Sequence, residues 1–300
     1  MRRFEKITLL FVLPLLVLVA AGETLIRLTP NTYTYKYAWM EEHGSEVATL
    51  VLGNSHNLAA ICPTDLGDSV FNLALGAQWP EYDLMLLEQF APRCPHLRTV
   101  ITNLDVINYF SRDYEDTYRY YFATYYTLFM GSKKHRFPSL YHLMMSHPRY
   151  GSTLALKCAL YRLRGKSMIE CDSLGWSTDS VRPAHGLAMG DQQRDVVTQN
   201  DVVKNRERMK RMIDYCAAHG LRLVVITTPT WHTYRDAIEP ELKAQFAAEV
   251  KLLQQYGLKE YRDYSDDPRF QAEDFYDSHH LWIVNGSHKF TKILKEDLGL

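Results

Sequence analysis

Ala48-Thr49-Leu50-Val51-Leu52-Gly53-Asn54-Ser55-His56 is the stretch on which the fold turns. Residues 48–53 form a short, continuous apolar run, the pattern of a strand buried in a sheet, and Gly-Asn-Ser marks the turn that ends it. Val70–Leu75, which stops at Gly76, is a second such run, and Leu97–Leu104, Leu221–Thr228 and Leu258–Tyr264 are further strand candidates. Between them lie helical patterns. Glu81–Phe90 carries Tyr82, Met85, Leu86 and Phe90 at helical spacing and is closed by Pro92 and Pro95. Lys204–His219 and Glu239–Tyr256 are each closed by a glycine, Gly220 and Gly257, and Asn285–Leu298 supplies a last helix. Strands alternating with helices predict an α/β domain over 46–300, with about five parallel strands and helices on both faces. The rhythm breaks between about 111 and 200, a Tyr-, His- and Met-rich then polar stretch that reads as a largely helical insertion.

The chain of 300 residues is 46% hydrophobic and 23% charged, which is ordinary for a packed protein and argues against wholesale disorder. Its formal net charge of −1, with no basic stripe, removes the electrostatic reason to expect a nucleic-acid partner. Many of the 20 tyrosines fall between Tyr109 and Tyr126, where they form either core or a sugar-stacking or lipid-facing surface. Cys62, Cys94, Cys158, Cys171 and Cys216 include no C-x-x-C pair; Cys158 and Cys171 can pair in an oxidising space, and buried thiols are the alternative.

The first residues set the compartment. Three basic residues in Met1–Lys6 precede an uncharged stretch from Ile7 to Gly22, about 24 Å long as a helix. Leu25 and Ile26 lengthen it if Glu23 sits at the membrane interface. Residues 1–28 are therefore expected to anchor the chain in a membrane with the rest extracytoplasmic, periplasmic or at the cell surface. A cleaved signal peptide, with Val19-Ala20-Ala21-Gly22 as its small-residue site, would make the protein secreted.

Two local patterns carry chemistry. Ser55 follows the first strand, at the carboxyl end of a parallel sheet, where ligands collect. Near the other end, Phe275-Tyr276-Asp277-Ser278-His279-His280-Leu281 sets an acid three residues before a histidine. Asp277 can then fix the tautomer of His280, whose other nitrogen is free to take a proton from serine.

On these residues the chain resembles the SGNH (GDSL-like) hydrolases. Gly53-Asn54-Ser55 matches that family's G-D-S nucleophile block with Asn54 in place of Asp, and Asp277 with His280 matches its C-terminal D-x-x-H. The resemblance implies a three-layer, flavodoxin-like fold and a catalytic triad of Ser55, His280 and Asp277. It also implies an oxyanion hole that includes the N–H of Gly76, in Asn72-Leu73-Ala74-Leu75-Gly76. The family's G-x-N-D block is not cleanly present; Asn103 and Asn108, with Asp105 between them, lie in its region as candidate oxyanion or substrate contacts. Asn54 belongs to the same substrate-side set. His56 either contacts substrate or caps the following helix. With its anchor and Gly53-Asn54-Ser55-His56, the chain also resembles membrane-tethered members that add or remove acyl groups on exported polymers. Thr227-Thr228-Pro229-Thr230 is similar to the loop that borders their site.

The activity so implied is that of a serine esterase or O-acyltransferase on acyl, chiefly acetyl, esters of cell-envelope glycans, with a membrane acyl-donor partner in the transferase case. No cofactor is expected. His56, His232, His279, His280 and His288 are scattered, no H-E-x-x-H is present, and a metal is not expected. Trp231, His232 and Tyr234 read as pocket wall, and Trp176 and Trp282 as either packing or sugar-stacking residues. The competing reading is an SGNH scaffold that binds a glycan or membrane partner without catalysis.

Overall fold

The computed structural model describes residues 2–110, 117–132, 142–188 and 199–300. Its contacts divide the chain into two compact units: the described residues of Met1–Tyr37 and Tyr114–Glu170, and those of Ala38–Asp113 and Cys171–Leu300. Of the insertion expected over 111–200, residues 111–116, 133–141 and 189–198 lie outside the described set.

The elements run as α1 (Arg2–Leu28), α2 (Thr32–His43), β1 (Thr49–Val51), α3 (Ser55–Ala60), the single turn α4 (Pro63–Leu66), β2 (Val70–Asn72), α5 (Pro80–Phe90), β3 (Thr99–Asn103) and α6 (Val106–Phe110). After these come α7 (Thr117–Phe129), α8 (Pro148–Leu163), α9 (Gln199–Ala218), β4 (Arg222–Thr227), α10 (His232–Ala237), α11 (Pro240–Tyr256), β5 (Glu260–Asp263) and α12 (Gly286–Leu298). All five strands are parallel, in the order β2-β1-β3-β4-β5. This is the doubly wound, flavodoxin-like α/β architecture.

Alternation across each strand builds two faces. Val51, Ile101, Val224 and Ile226 join Ile61, Leu66, Phe290, Leu294 and Leu298 in one buried core, so α3, α4 and α12 cover that face. Helix α9 packs against both α5 and α11 and contacts β4. Arg206 on α9 holds the buried Glu249 of α11 at 2.5 Å, and Tyr109 donates to the same carboxylate at 3.1 Å. Asn285 caps α12 by accepting from the Gly286 N–H, and a Cβ at Gly286 would lie 1.8 Å from the Asp274 carbonyl, so only glycine fits.

The strand order places the topological switch between β1 and β3. Ser55 therefore begins a helix at the switch, beside the Asn103–Asp105 end of β3.

In the other unit, α1 and α8 pack together, with Gly22 of α1 against Met145 and Ala155. Glu23 is buried, where it takes the Met145 N–H at 3.0 Å and pairs with Arg27 at 2.7 Å. Leu10–Leu28 has a mean hydropathy of 2.0 and is long and apolar enough to cross a membrane by length and composition. Leu10, Phe11, Leu13 and Leu15 to Leu18 stand exposed along it. Tyr33 stacks on Tyr125 at 4.7 Å, and Tyr125 and Tyr126 are buried here as Tyr109 is in the sheet-bearing unit, the core alternative for these three tyrosines. All five cysteines are buried free thiols, so Cys158 and Cys171 are not bridged.

Candidate active site

The turn after β1 is held from below by carboxylate and amide groups. Gly53 has φ +111, and an added Cβ would lie 2.0 Å from the Asn103 side-chain oxygen. That oxygen accepts the Asn54 N–H at 3.0 Å, while the Asn103 amide nitrogen donates to Asn54 Oδ1 and to Asp105 Oδ2, each at 3.0 Å. Asn54 Nδ2 also donates to Asp105, at 2.9 Å. Under the Gly53 N–H lies Asp83, which accepts it at 3.0 Å and takes further bonds from Gln78 at 2.5 Å and Thr102 at 2.9 Å. Burial nevertheless pushes the Asp83 carboxyl up to about 6.

Asn54 is also the helix cap. Its side-chain oxygen accepts the His56 N–H at 2.9 Å, so α3 is capped by Asn54 and not by His56. His56 is buried, with its Nδ1 3.4 Å from Asp105.

Asp277 organises the opposing loop. Its Oδ1 accepts the backbone N–H groups of His279 (2.9 Å) and His280 (2.8 Å), and the carboxylate meets His280 Nδ1 at 2.9 and 3.0 Å. Phe275 and Leu281 bridge across the loop and are buried in the core beneath it. The Ser278 carbonyl accepts the Trp231 N–H at 2.8 Å, tying this loop to the segment after β4. His280 then presents Nε2 to Ser55 Oγ at 2.8 Å. The structure thus brings Ser55, His280 and Asp277 into one hydrogen-bonded chain from residues 225 positions apart.

Burial tends to raise the Asp277 carboxyl, but the His280 hydrogen bond and the neighbouring imidazoles hold it well below the usual carboxylate range. It is an ionised, buried acceptor. Burial drives the His56 imidazole well below its ordinary value, helped by His280 and His279. It lowers His279 to about 3, so both rings are neutral near pH 7. Tyr234 stacks on His279 at 5.2 Å and is itself buried.

A cleft of about 190 Å³ opens at Ser55, walled mainly by Leu58, Ala59, Tyr276, Leu281 and Ile283, with Ser177 and Asp179 on its rim. Ser177 and Asp179 come from a segment that sequence reasoning left inside the insertion. Here it is tied to the sheet: Asn72 N–H donates to the Leu174 carbonyl, and the Trp176 indole donates to the Ala59 carbonyl at 2.8 Å. Gly175, φ +83, passes so close that a Cβ would lie 2.1 Å from the Asn72 carbonyl. Trp282 donates to the Ser180 carbonyl at 2.9 Å and lies 4.1 Å below the Arg182 guanidinium. Trp231 packs against the core at Phe275. Trp231, read from sequence as pocket wall, does not line this cleft, and neither do Trp176 and Trp282.

The other expected site residues are placed as follows. Asn103 is fully buried under the turn with its amide protons engaged, so it holds Asn54 and Asp105 and does not offer the side-chain oxyanion contact expected of it. Asn54 is likewise buried in support of the turn, not on the substrate side. Asn108 falls on α6, and its side chain lies outside the described residues. The backbone N–H groups of Ser55 and Gly76 donate to no protein acceptor among the described residues. A Cβ at Gly76 would meet nothing within 4 Å. Of the five histidines considered from sequence, His232 pairs with Asp236 and His288 with Asp65, while His56, His279 and His280 converge. Asp83 was not read as a site residue, Asp105 was named only as lying between Asn103 and Asn108, and His279 only among the five scattered histidines; no local pattern pointed to Asp83.

A scan against protein-family models finds no match, and a search of curated proteins finds none.

Proposed function

We propose that this chain is a membrane-tethered, extracytoplasmic serine acyl hydrolase or O-acyltransferase of the SGNH kind, acting on acyl esters of exported or cell-envelope glycans. The observation that carries the reading is the relay from Ser55 Oγ through His280 to Asp277, at 2.8 and 2.9 Å. Ser55 Oγ attacks the ester carbonyl as His280 Nε2 accepts its proton, and the ionised Asp277 stabilises the imidazolium. The Ser55 and Gly76 N–H groups receive the developing oxyanion. The leaving alcohol takes the proton from His280, leaving an acyl-Ser55 ester. Water then yields the free acid, whereas a sugar hydroxyl yields a transferred acyl group; a membrane acyl-donor partner would load the serine in the second case. The small, apolar-walled cleft favours a short acyl chain such as acetyl. The exposed apolar length of α1 favours an anchor.

The test is p-nitrophenyl acetate turnover by the full chain in mild detergent, with fluorophosphonate labelling alongside. Wild type is expected to turn over and label, and Ser55→Ala and His280→Ala to do neither while remaining folded. Asp277→Asn should cost about 10⁴-fold in kcat. A folded wild type that neither labels nor hydrolyses refutes the proposal. The commitment of Asn103 beneath the turn favours one second reading, a non-catalytic glycan-binding scaffold, because it leaves two backbone donors for the oxyanion. That reading predicts glycan binding that survives Ser55→Ala.

A further inference from the structure

His56 on α3 and His279 and His280 on the loop before α12 each offer a ring nitrogen, and these atoms lie within 4.8 Å of one another. Three imidazoles are the donor set of a tetrahedral zinc centre with one position left for water. At Zn–N distances of 2.0–2.1 Å, ligand nitrogens sit about 3.3 Å apart, so small rotations of these rings close the set. The surroundings match as well. Asp277 lies 2.9 Å from His280 Nδ1 and 3.4 Å from His279 Nδ1, and Asp105 lies 3.4 Å from His56 Nδ1. A carboxylate facing Nδ1 is the arrangement that orients metal-binding histidines and leaves Nε2 to the ion. Two buried carboxylates also offset the charge of a divalent cation.

We infer that His56, His279 and His280 form a binding site for a divalent transition-metal ion such as Zn²⁺, and that the ion takes His280 Nε2 away from Ser55. The metal is bound by neutral imidazoles, and no bond in the chain is made or broken. With its Nε2 lone pair on the ion, His280 no longer accepts the serine proton, so occupancy shuts down acyl chemistry and a chelator restores it. This consequence rests on the serine reading above; the metal site does not.

The experiment is a calorimetric titration of the untagged full chain in detergent with ZnCl₂, repeated with Co²⁺ to read its visible ligand-field bands. Wild type should bind one equivalent and give a tetrahedral cobalt spectrum. His279→Gln, at the most open of the three rings, should weaken binding at least about 100-fold. On wild type itself, Zn²⁺ should protect His279 and His280 from diethylpyrocarbonate, read by peptide mass, which keeps the test independent of any variant's folding. Absence of binding overturns the inference. So does binding untouched by His279→Gln but abolished by His288→Ala, which would place the ion at Cys62, Asp65 and His288. An enzyme inert toward esters that still binds Zn²⁺ at His279 and His280 would refute the serine mechanism and leave the metal site standing.

Discussion

Replacing Gly53 by alanine tests how the nucleophile turn is held. Two separate costs follow from the structure. At φ +111 an L-residue is strained by about 1–3 kcal/mol. The new Cβ also lands 2.0 Å from Asn103 Oδ1, displacing a side chain that makes three buried hydrogen bonds to Asn54 and Asp105. Losing two of these, at about 1 kcal/mol net each, and leaving one buried polar group unpaired, at about 1–3 kcal/mol, brings the total to about 4–8 kcal/mol. That is a large share of the roughly 5–15 kcal/mol that stabilises a typical domain. Denaturant unfolding of the detergent-solubilised chain, followed by tryptophan fluorescence, reads the effect. The mechanism also predicts coupling. In an Asn103→Ala background the collision is gone, so the double variant should be about 3–5 kcal/mol more stable than the two single losses added together. A Gly53→Ala protein within 1 kcal/mol of wild type, or strict additivity with Asn103→Ala, would refute this account of the turn.

Other outcomes follow from the same neighbourhood. Gly76→Ala should change stability by less than about 0.5 kcal/mol in the same unfolding assay, because its Cβ meets open space and a backbone N–H survives the change. Asp105→Asn turns an acceptor shared by two amides into a group that donates on one side, and should lower stability by about 1–3 kcal/mol and slow ester turnover with it. Acid titration of stability separates groups of opposite sign. His56 and His279 are held neutral, so their contribution is complete above pH 6.5 and is lost as pH falls, by up to about 1.4 kcal/mol per unit for each. Asp83, raised to about 6, binds its proton more tightly when folded, so its contribution falls as pH rises from about 4 to 6 and opposes theirs. Asp83→Asn should therefore steepen the pH dependence in that window, and an unchanged slope in the unfolding curves would contradict this.

What the sequence disclosed and what it withheld divide by range. Strands β1 to β4 were legible as short buried runs, β5, the polar Glu260-Tyr261-Arg262-Asp263, only from its place after the glycine that closes α11, and α12 because Phe290, Leu294 and Leu298 repeat at helical spacing. Ser55, Asp277 and His280 were legible because each belongs to a local pattern, three residues separating the last two. The groups that hold them are distant partners. Asp83 meets Gly53 from 30 residues away, Asn103 meets Asn54 from 49, and His56 approaches His279 only when β1 and the final loop share one end of the sheet. Such pairings follow from strand order, which no local pattern encodes. The packing of α1 on α8, and the segment 172–188 that supplies the cleft rim, were hidden for the same reason.

The five buried thiols give the molecule a built-in set of reporters. Burial raises Cys94 to about 11 and Cys216 to about 12, and raises Cys62 and Cys158 as well, so a closed protein holds each as an unreactive thiol. A maleimide pulse therefore marks only molecules in which that part of the chain has opened. Cys62, Cys94 and Cys216 sit in the sheet-bearing unit and Cys158 in the other. Mass mapping of one labelled sample then yields the opening free energy of each unit separately, with no residue altered.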